Sequence, residues 1–198
     1  ERLYAASERY VELREVLERQ LDVVELERDR INLLMRLSAM WEEEFVKPEQ
    51  AAERLEEVLQ INPAHIEALT GLARLYRAAR DWDRLIDTYE RHIDATPDRG
   101  EKIRLLKLEG EAFETNLEDV QRAIDAYIAV TDIDPEDQEA LDSLARLYMK
   151  SEDYGAALDT LERLAPLIEE TADRVRLESR IGALLEEKLG DRGGAIAH

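Results

Sequence analysis

The chain has 198 residues, 44% hydrophobic and 37% charged, with only 6% aromatic; that is the composition of a mostly helical folded protein, too apolar for disorder. Its formal net charge of −20 and pI of about 4.6 disfavour whole-molecule binding to nucleic acid or to an anionic membrane, because both repel it. Cysteine is absent, which removes disulfides, thiolate nucleophiles and zinc–thiolate sites and weakly favours the cytoplasm; no 18-residue apolar run and no signal-peptide pattern occur, so no membrane insertion is expected.

The first predicted element opens on "RLYAASERYVELREVLERQL", from Arg2. The same opening returns 72 positions later as "RLYRAARDWDRLIDTYERHI" from Arg74, and again as "RLYMKSEDYGAALDTLERLA" from Arg146. The next element follows the same interval: Ile31, Leu33 and Leu34 map onto Ile103, Leu105 and Leu106, and Trp41 maps onto Phe113. Further along, Ala51 maps onto Ala123, Val58 onto Val130, Ile61–Pro63 onto Ile133–Pro135, and Gly110 onto Gly182. A fixed period of this kind predicts stacked modules.

Each 72-residue block splits into two helical hairpins. Leu69, Leu72, Leu75 and Tyr76 recur at three- and four-residue steps, and after "RAARDW" the stripe resumes at Leu85, Ile86 and Tyr89. Asn62-Pro63, Thr96-Pro97 and Asp134-Pro135 stop helices, since the residue before proline avoids the α region and proline lacks an N–H. Hairpins led by Ile31, Ile103 and Val175 carry an extra residue in their internal turn. The prolines that close other hairpins are missing near Glu25 and Glu169, so "DVVELERDRI" and "PLIEETADRVRL" are expected to join hairpins through longer helices.

These residues resemble the tetratricopeptide repeat, a helix–turn–helix of 34 residues. Leu69, Leu72, Ala73, Tyr76, Tyr89 and Pro97 match its pattern, as do Leu106, Gly110, Phe113, Ala123, Tyr127 and Pro135. Leu141, Leu144, Ala145, Tyr148, Ala157 and Leu161 match again, and so do Leu34, Leu37, Ser38, Trp41, Ala51, Leu55 and Pro63. Leu85 and His92 depart from it, standing where small residues are usual. The resemblance implies an all-α, right-handed superhelical solenoid of antiparallel helix pairs. It would form one repeat domain over 1–198, about five and a half repeats in 72-residue double units, with bounds near 1–25 (partial), 29–63, 64–97, 98–135, 136–169 and 173–198 (partial). Neither end reads as a polar cap. The expectation is an excerpt of a longer array that self-associates through its exposed ends.

Catalytic chemistry finds little support. The three histidines, His65, His92 and His198, sit in no nucleophile or ligand spacing, so no catalytic, cofactor or metal residue is expected. Glu42-Glu43-Glu44 reads as a solvated face. "DIDPEDQEALDS" opens like a calcium loop but has Asp137 and Ser143 where the loop needs Gly and a bidentate Glu. "GDRGG" lacks the strand and the Lys-Ser/Thr of a phosphate cradle and aligns with the turns of sister hairpins.

The resemblance implies that the first helix of each hairpin lines a concave groove that binds a protein or peptide partner. The groove positions then hold Arg36, Arg74, Arg77, Arg104, Lys107, Arg146, Lys150, Arg176 and Arg180, with Arg2 one period before Arg74. Asn32, Met35, Glu42, Glu67, Glu111, Asp142 and Met149 share that face. Guanidinium groups on one surface suit carboxylates, so an acidic partner segment is expected. The plainer reading is that these cations form surface pairs, such as Glu67 with Arg74 or Arg104 with Glu111. The family's carboxylate clamp for chaperone tails is missing: Met35, Ala39, Gly71, Arg104 and Leu108 occupy its positions, and only Arg104 approaches the pattern. A non-catalytic interaction scaffold is the leading expectation. The alternative is a structural spacer or self-assembling rod that uses its ends and convex face and leaves the groove idle; an RNA-binding repeat is disfavoured by the charge.

Overall fold

The computed structural model describes residues 2–190 and 192–197, with side chains described at 9–188, 190 and 193–195. Among the described residues there are helices and turns and no strand. The chain divides into two compact units, Glu1–Pro97 and Asp98–His198. The first holds α1 (Arg2–Val23), α2 (Glu27–Glu43), α3 (Pro48–Ile61), α4 (Ile66–Ala79) and α5 (Trp82–Ala95). The second holds α6 (Arg99–Thr115), α7 (Val120–Ile133), α8 (Gln138–Lys150), α9 (Tyr154–Leu164), α10 (Thr171–Leu184) and α11 (Arg192–Ala197). A 3₁₀ turn, Ala165–Leu167, follows α9, and a π-turn, Leu185–Leu189, follows α10. In the first unit α2 pairs with α3 and α4 with α5; in the second α6 pairs with α7 and α8 with α9. Within each unit the second helix of one hairpin also packs on the first helix of the next, α3 on α4 and α7 on α8.

Side-chain caps set most helix starts. Asp81, Asp98, Asp119, Asp137 and Asp153 each accept the backbone N–H three residues on, from Arg84, Glu101, Arg122, Ala140 and Ala156. Such a cap satisfies one of the donors that a helix start leaves without an intrahelical partner. Pro48 takes the first turn of α3, where its missing N–H costs nothing. The apolar stripes then close the hairpins. In the first unit Leu34, Leu37, Ala51, Val58, Leu69, Leu72 and Leu85 are buried; in the second, Leu105, Val130, Leu141, Leu144, Leu147 and Ile181.

The 72-residue period is written into the backbone as well. Five residues have positive φ: Val46 (52°), Glu118 (55°) and Gly190 (71°), and Arg80 (57°) and Glu152 (63°). The first three are 72 positions apart, and so are the last two. Each marks the turn inside a hairpin. A left-handed residue there swings the chain so that the next N–H returns to the helix just ended. In the short turns Asp81 N bonds Tyr76 O and Asp153 N bonds Tyr148 O, both at 2.9 Å. In the turns with the extra residue Lys47 N reaches Trp41 O (2.8 Å) and Asp119 N reaches Phe113 O (2.9 Å), one residue further back.

Two expectations are corrected. "DVVELERDRI" and "PLIEETADRVRL" are not longer helices: α1 stops at Val23, and three residues precede α2; α9 gives way to the 3₁₀ turn, and α10 begins only at Thr171. Leu26 and Glu170 stand before the new helices in extended backbone with no side-chain cap bond. No proline or glycine stands at the end of α1, whereas Pro166, which has no N–H to continue the ladder, stands where α9 gives way to the 3₁₀ turn. In the opposite sense, α1 runs unbroken from Arg2 to Val23, through the positions where the period places a hairpin turn. At the register of Asp81 and Asp153 the first copy has Arg9, which offers no acceptor to cap a new helix, so the helix continues.

Candidate functional site

The histidines have structural places. His65 is the N-cap of α4, with Nδ1 accepting from Ala68 N at 3.2 Å. His92 is 2% exposed inside α5; His198 lies outside the described residues. The calcium-like loop is a turn and a helix start: Asp134 accepts from Glu136 N and Asp137 caps α8. Among the described residues no group of three His, Cys, Asp or Glu is placed to hold a metal, and no helix is long and apolar enough to cross a membrane.

The groove cations fall on the first helices of the hairpins, α2 and α4 in the first unit and α6, α8 and α10 in the second. Most are already engaged. In the first unit Arg74 on α4 grips Glu42 on α2 with two guanidinium nitrogens, Nη2 to Oε2 at 2.6 Å. In the second unit Arg146 on α8 grips Glu114 on α6. Both members of this pair recur at the 72-residue interval, so the rung is a copied feature. The hydrogen bonds from Arg74 hold the Glu42 carboxyl below the usual carboxylate range.

Other cations in the second unit pair by different routes. Arg104 forks onto Glu101 (2.6 and 2.7 Å), and one period later Arg176 pairs with Asp173 (2.9 Å). Lys107 sits between Asp137 and Glu139 at 2.8 and 2.7 Å. Burial works to lower its pKa, but these hydrogen bonds raise it on balance. Arg180 on α10 reaches Asp142 on α8 at 2.9 Å. In the first unit Arg77 hydrogen-bonds the Tyr89 hydroxyl and lies 5.9 Å from that ring's centroid. Arg36 and Lys150 are exposed, with no ion pair among the described residues. The side chain of Arg2 lies outside the described residues.

The pairs expected within one helix, Glu67 with Arg74 and Arg104 with Glu111, do not form. Seven residues along a helix is about 10 Å of rise, whereas a neighbouring helix or a residue three positions away lies closer. Glu114, the partner of Arg146, is not among the carboxylates the sequence analysis places on this face, although Glu42 and Arg74 share one interval with Glu114 and Arg146.

The first-helix face of the second unit is indented between α6 and α8. An open cleft of about 510 Å³ has Leu108, Tyr127 and Ser143 at its floor and Arg104, Glu114 and Arg146 on its walls. Tyr127 reaches it from α7 because Gly110 leaves room: a Cβ there would stand 2.9 Å from the ring. Burial raises the Tyr127 pKa, against a lowering hydrogen bond with Ser143.

Antiparallel hairpins repeated at a fixed interval, with first-helix faces lined by ion-paired arginines, define a helical-repeat protein. The tetratricopeptide repeat family model matches residues 68–103 and 140–175, two segments at the same 72-residue register; the chain carries tetratricopeptide repeats. Solved structures agree on the fold. A structure of MamA AMB-1 aligns with a TM-score of 0.57 at 16% identity, covering 86% of this chain and 88% of that one. MamA 41-end from Desulfovibrio magneticus RS-1 aligns at 0.52 and 17%, covering 86% and 91%. YrrB, described as a TPR protein with an unusual peptide-binding site, aligns at 0.54 and 14%, covering 87% and 88%. No curated protein matches the chain.

Proposed function

We propose that this chain is a protein-interaction scaffold without catalytic chemistry of its own, whose first-helix faces bind a segment of a partner protein through that segment's carboxylates. Arg36, Arg74 and Arg77 would serve in the first unit, and Arg104, Lys107, Arg146, Lys150, Arg176 and Arg180 in the second. One observation carries the reading: the face already takes up carboxylates in a two-pronged grip, as Arg74 does with Glu42. A partner carboxylate can exchange with the resident one at little net cost, because one carboxylate is paired and the other solvated both before and after. The tetratricopeptide fold and the peptide-binding site named for YrrB support a segment, rather than a small molecule, as the ligand.

The test is an anisotropy titration with a labelled acidic peptide of alternating Asp/Glu and Leu pairs. R74E/R104E/R146E should weaken binding at least about tenfold, since a rim charge reversal removes attraction and adds repulsion. Circular dichroism should show unchanged helicity, because these side chains are exposed. Equal affinity for wild type and triple variant refutes the groove assignment.

A further inference from the structure

In the second unit the ion-pair rung is a copy, but the cleft beside it is not. Glu114 and Arg146 repeat Glu42 and Arg74 at the 72-residue interval. Other lining positions change between the copies. Tyr127 stands where the first unit has Leu55, and Ser143 where it has Gly71. Glu111 stands where the hairpins one period before and one period after have Ala39 and Ala183.

Charge around this cleft does not balance. Arg146 is held by Glu114, Lys107 by Asp137 and Glu139, and Arg104 by Glu101. Glu111, on the same wall, is exposed and makes no ion pair among the described residues. Counted over these residues, three cations face five carboxylates. A purely acidic segment that places a carboxylate on Arg146 leaves this excess standing and is repelled by it. A cation brought to Glu111 offsets the repulsion and gives that carboxylate a counter-ion.

Spacing sets where the cation belongs. Glu111 and Glu114 are three positions apart on α6, so their Cβ atoms lie about 5–6 Å from each other. Residues two positions apart on an extended segment point to the same side and are about 6–7 Å apart. One such segment can therefore reach Arg146, beside Glu114, and Glu111 together. A basic side chain there would lay its methylenes on Leu108 and Tyr127 and its charged head on Glu111.

We propose that Glu111 selects a basic side chain: the segment bound by the second unit is extended and carries a lysine or arginine two positions from the acidic residue that Arg146 takes. The proposal rests on the reading that first-helix faces bind a partner's carboxylates, and it names the class of segment bound at this cleft.

The probes are two labelled peptides with an Asp-Leu-Lys centre flanked by alternating leucine and aspartate. They are identical except that the lysine of the second is acetylated, which keeps the stem and removes the charge. Anisotropy titrations are run at about 0.15 M salt, where exposed charges more than about 8 Å apart are largely screened. The chain should bind the lysine peptide about threefold to fivefold more tightly, the scale of one exposed ion pair. E111Q should bind both peptides equally, and so should E111A, which installs the residue of the sister hairpins. E111K should prefer the acetylated peptide. Circular dichroism should be unchanged in all three variants, because the side chain is exposed. Equal affinities in the unaltered chain overturn the proposal. A preference that survives E111Q also overturns it, because it reports only the net charge of the peptide. In both cases, weaker binding to R74E/R104E/R146E leaves the broader groove reading standing. If neither these peptides nor the acidic peptide above binds at all, both readings fall.

Discussion

Replacing Val46 with glycine should stabilise the first unit. Val46 has φ of 52°, in the left-handed region that non-glycine residues occupy at a cost of about 1–2 kcal/mol, β-branched ones at the upper end. Glycine enters that region freely but loses about 0.5–1 kcal/mol more backbone entropy on folding. The side chain is 77% exposed, so its removal forfeits little buried surface. The balance is a gain of about 1 kcal/mol, seen as a rise of about 2–4 °C in Tm for a chain of this size. The assay is urea denaturation followed by circular dichroism, where the midpoint should rise at constant slope. The register supplies two controls: Glu118→Gly should gain less, because glutamate is unbranched at Cβ, and Gly190→Val should lose about 1 kcal/mol. A V46G variant no more stable than wild type, with unchanged slope, would refute the claim that this turn stores backbone strain.

Two helix glycines should respond differently to alanine. A Cβ at Gly110 would meet the Tyr127 ring at 2.9 Å, and a buried ring gives way poorly, so G110A should lose about 1–2 kcal/mol despite better helix propensity. A Cβ at Gly71 would meet the Leu55 side chain, closest at Cδ1 (2.8 Å), a flexible end that can rotate away, so thermal melts should place G71A within about 0.5 kcal/mol of wild type. Removing a helix cap with D119A leaves the Arg122 N–H without its acceptor and should cost about 1 kcal/mol in denaturant titration. The Glu42 carboxyl titrates below its unfolded-chain value, so its contribution is present above the ordinary carboxylate range and is lost as pH falls through the folded value. E42Q should therefore lose a few tenths of a kcal/mol near neutral pH and less in acid, with the difference read by denaturation at about pH 7 and about pH 3.

The sequence by itself determined the hairpins and their copying. Period-3.6 stripes located the buried leucines, and the 72-residue interval placed an extra residue in the internal turns of the hairpins led by Ile31, Ile103 and Val175, which the backbone turns with a positive φ at Val46, Glu118 and Gly190. These are local properties, set by residues within a turn or two of one another. It also placed the cations on first helices, because helical register follows from spacing alone. Which carboxylate each cation meets was decided by tertiary structure: Glu42 is 32 positions from Arg74 and Asp142 is 38 from Arg180, distances in sequence that only helix packing makes short. The end of α1 belongs to the same class, since no proline or glycine marks it, whereas the end of α9 is marked in the sequence by Pro166.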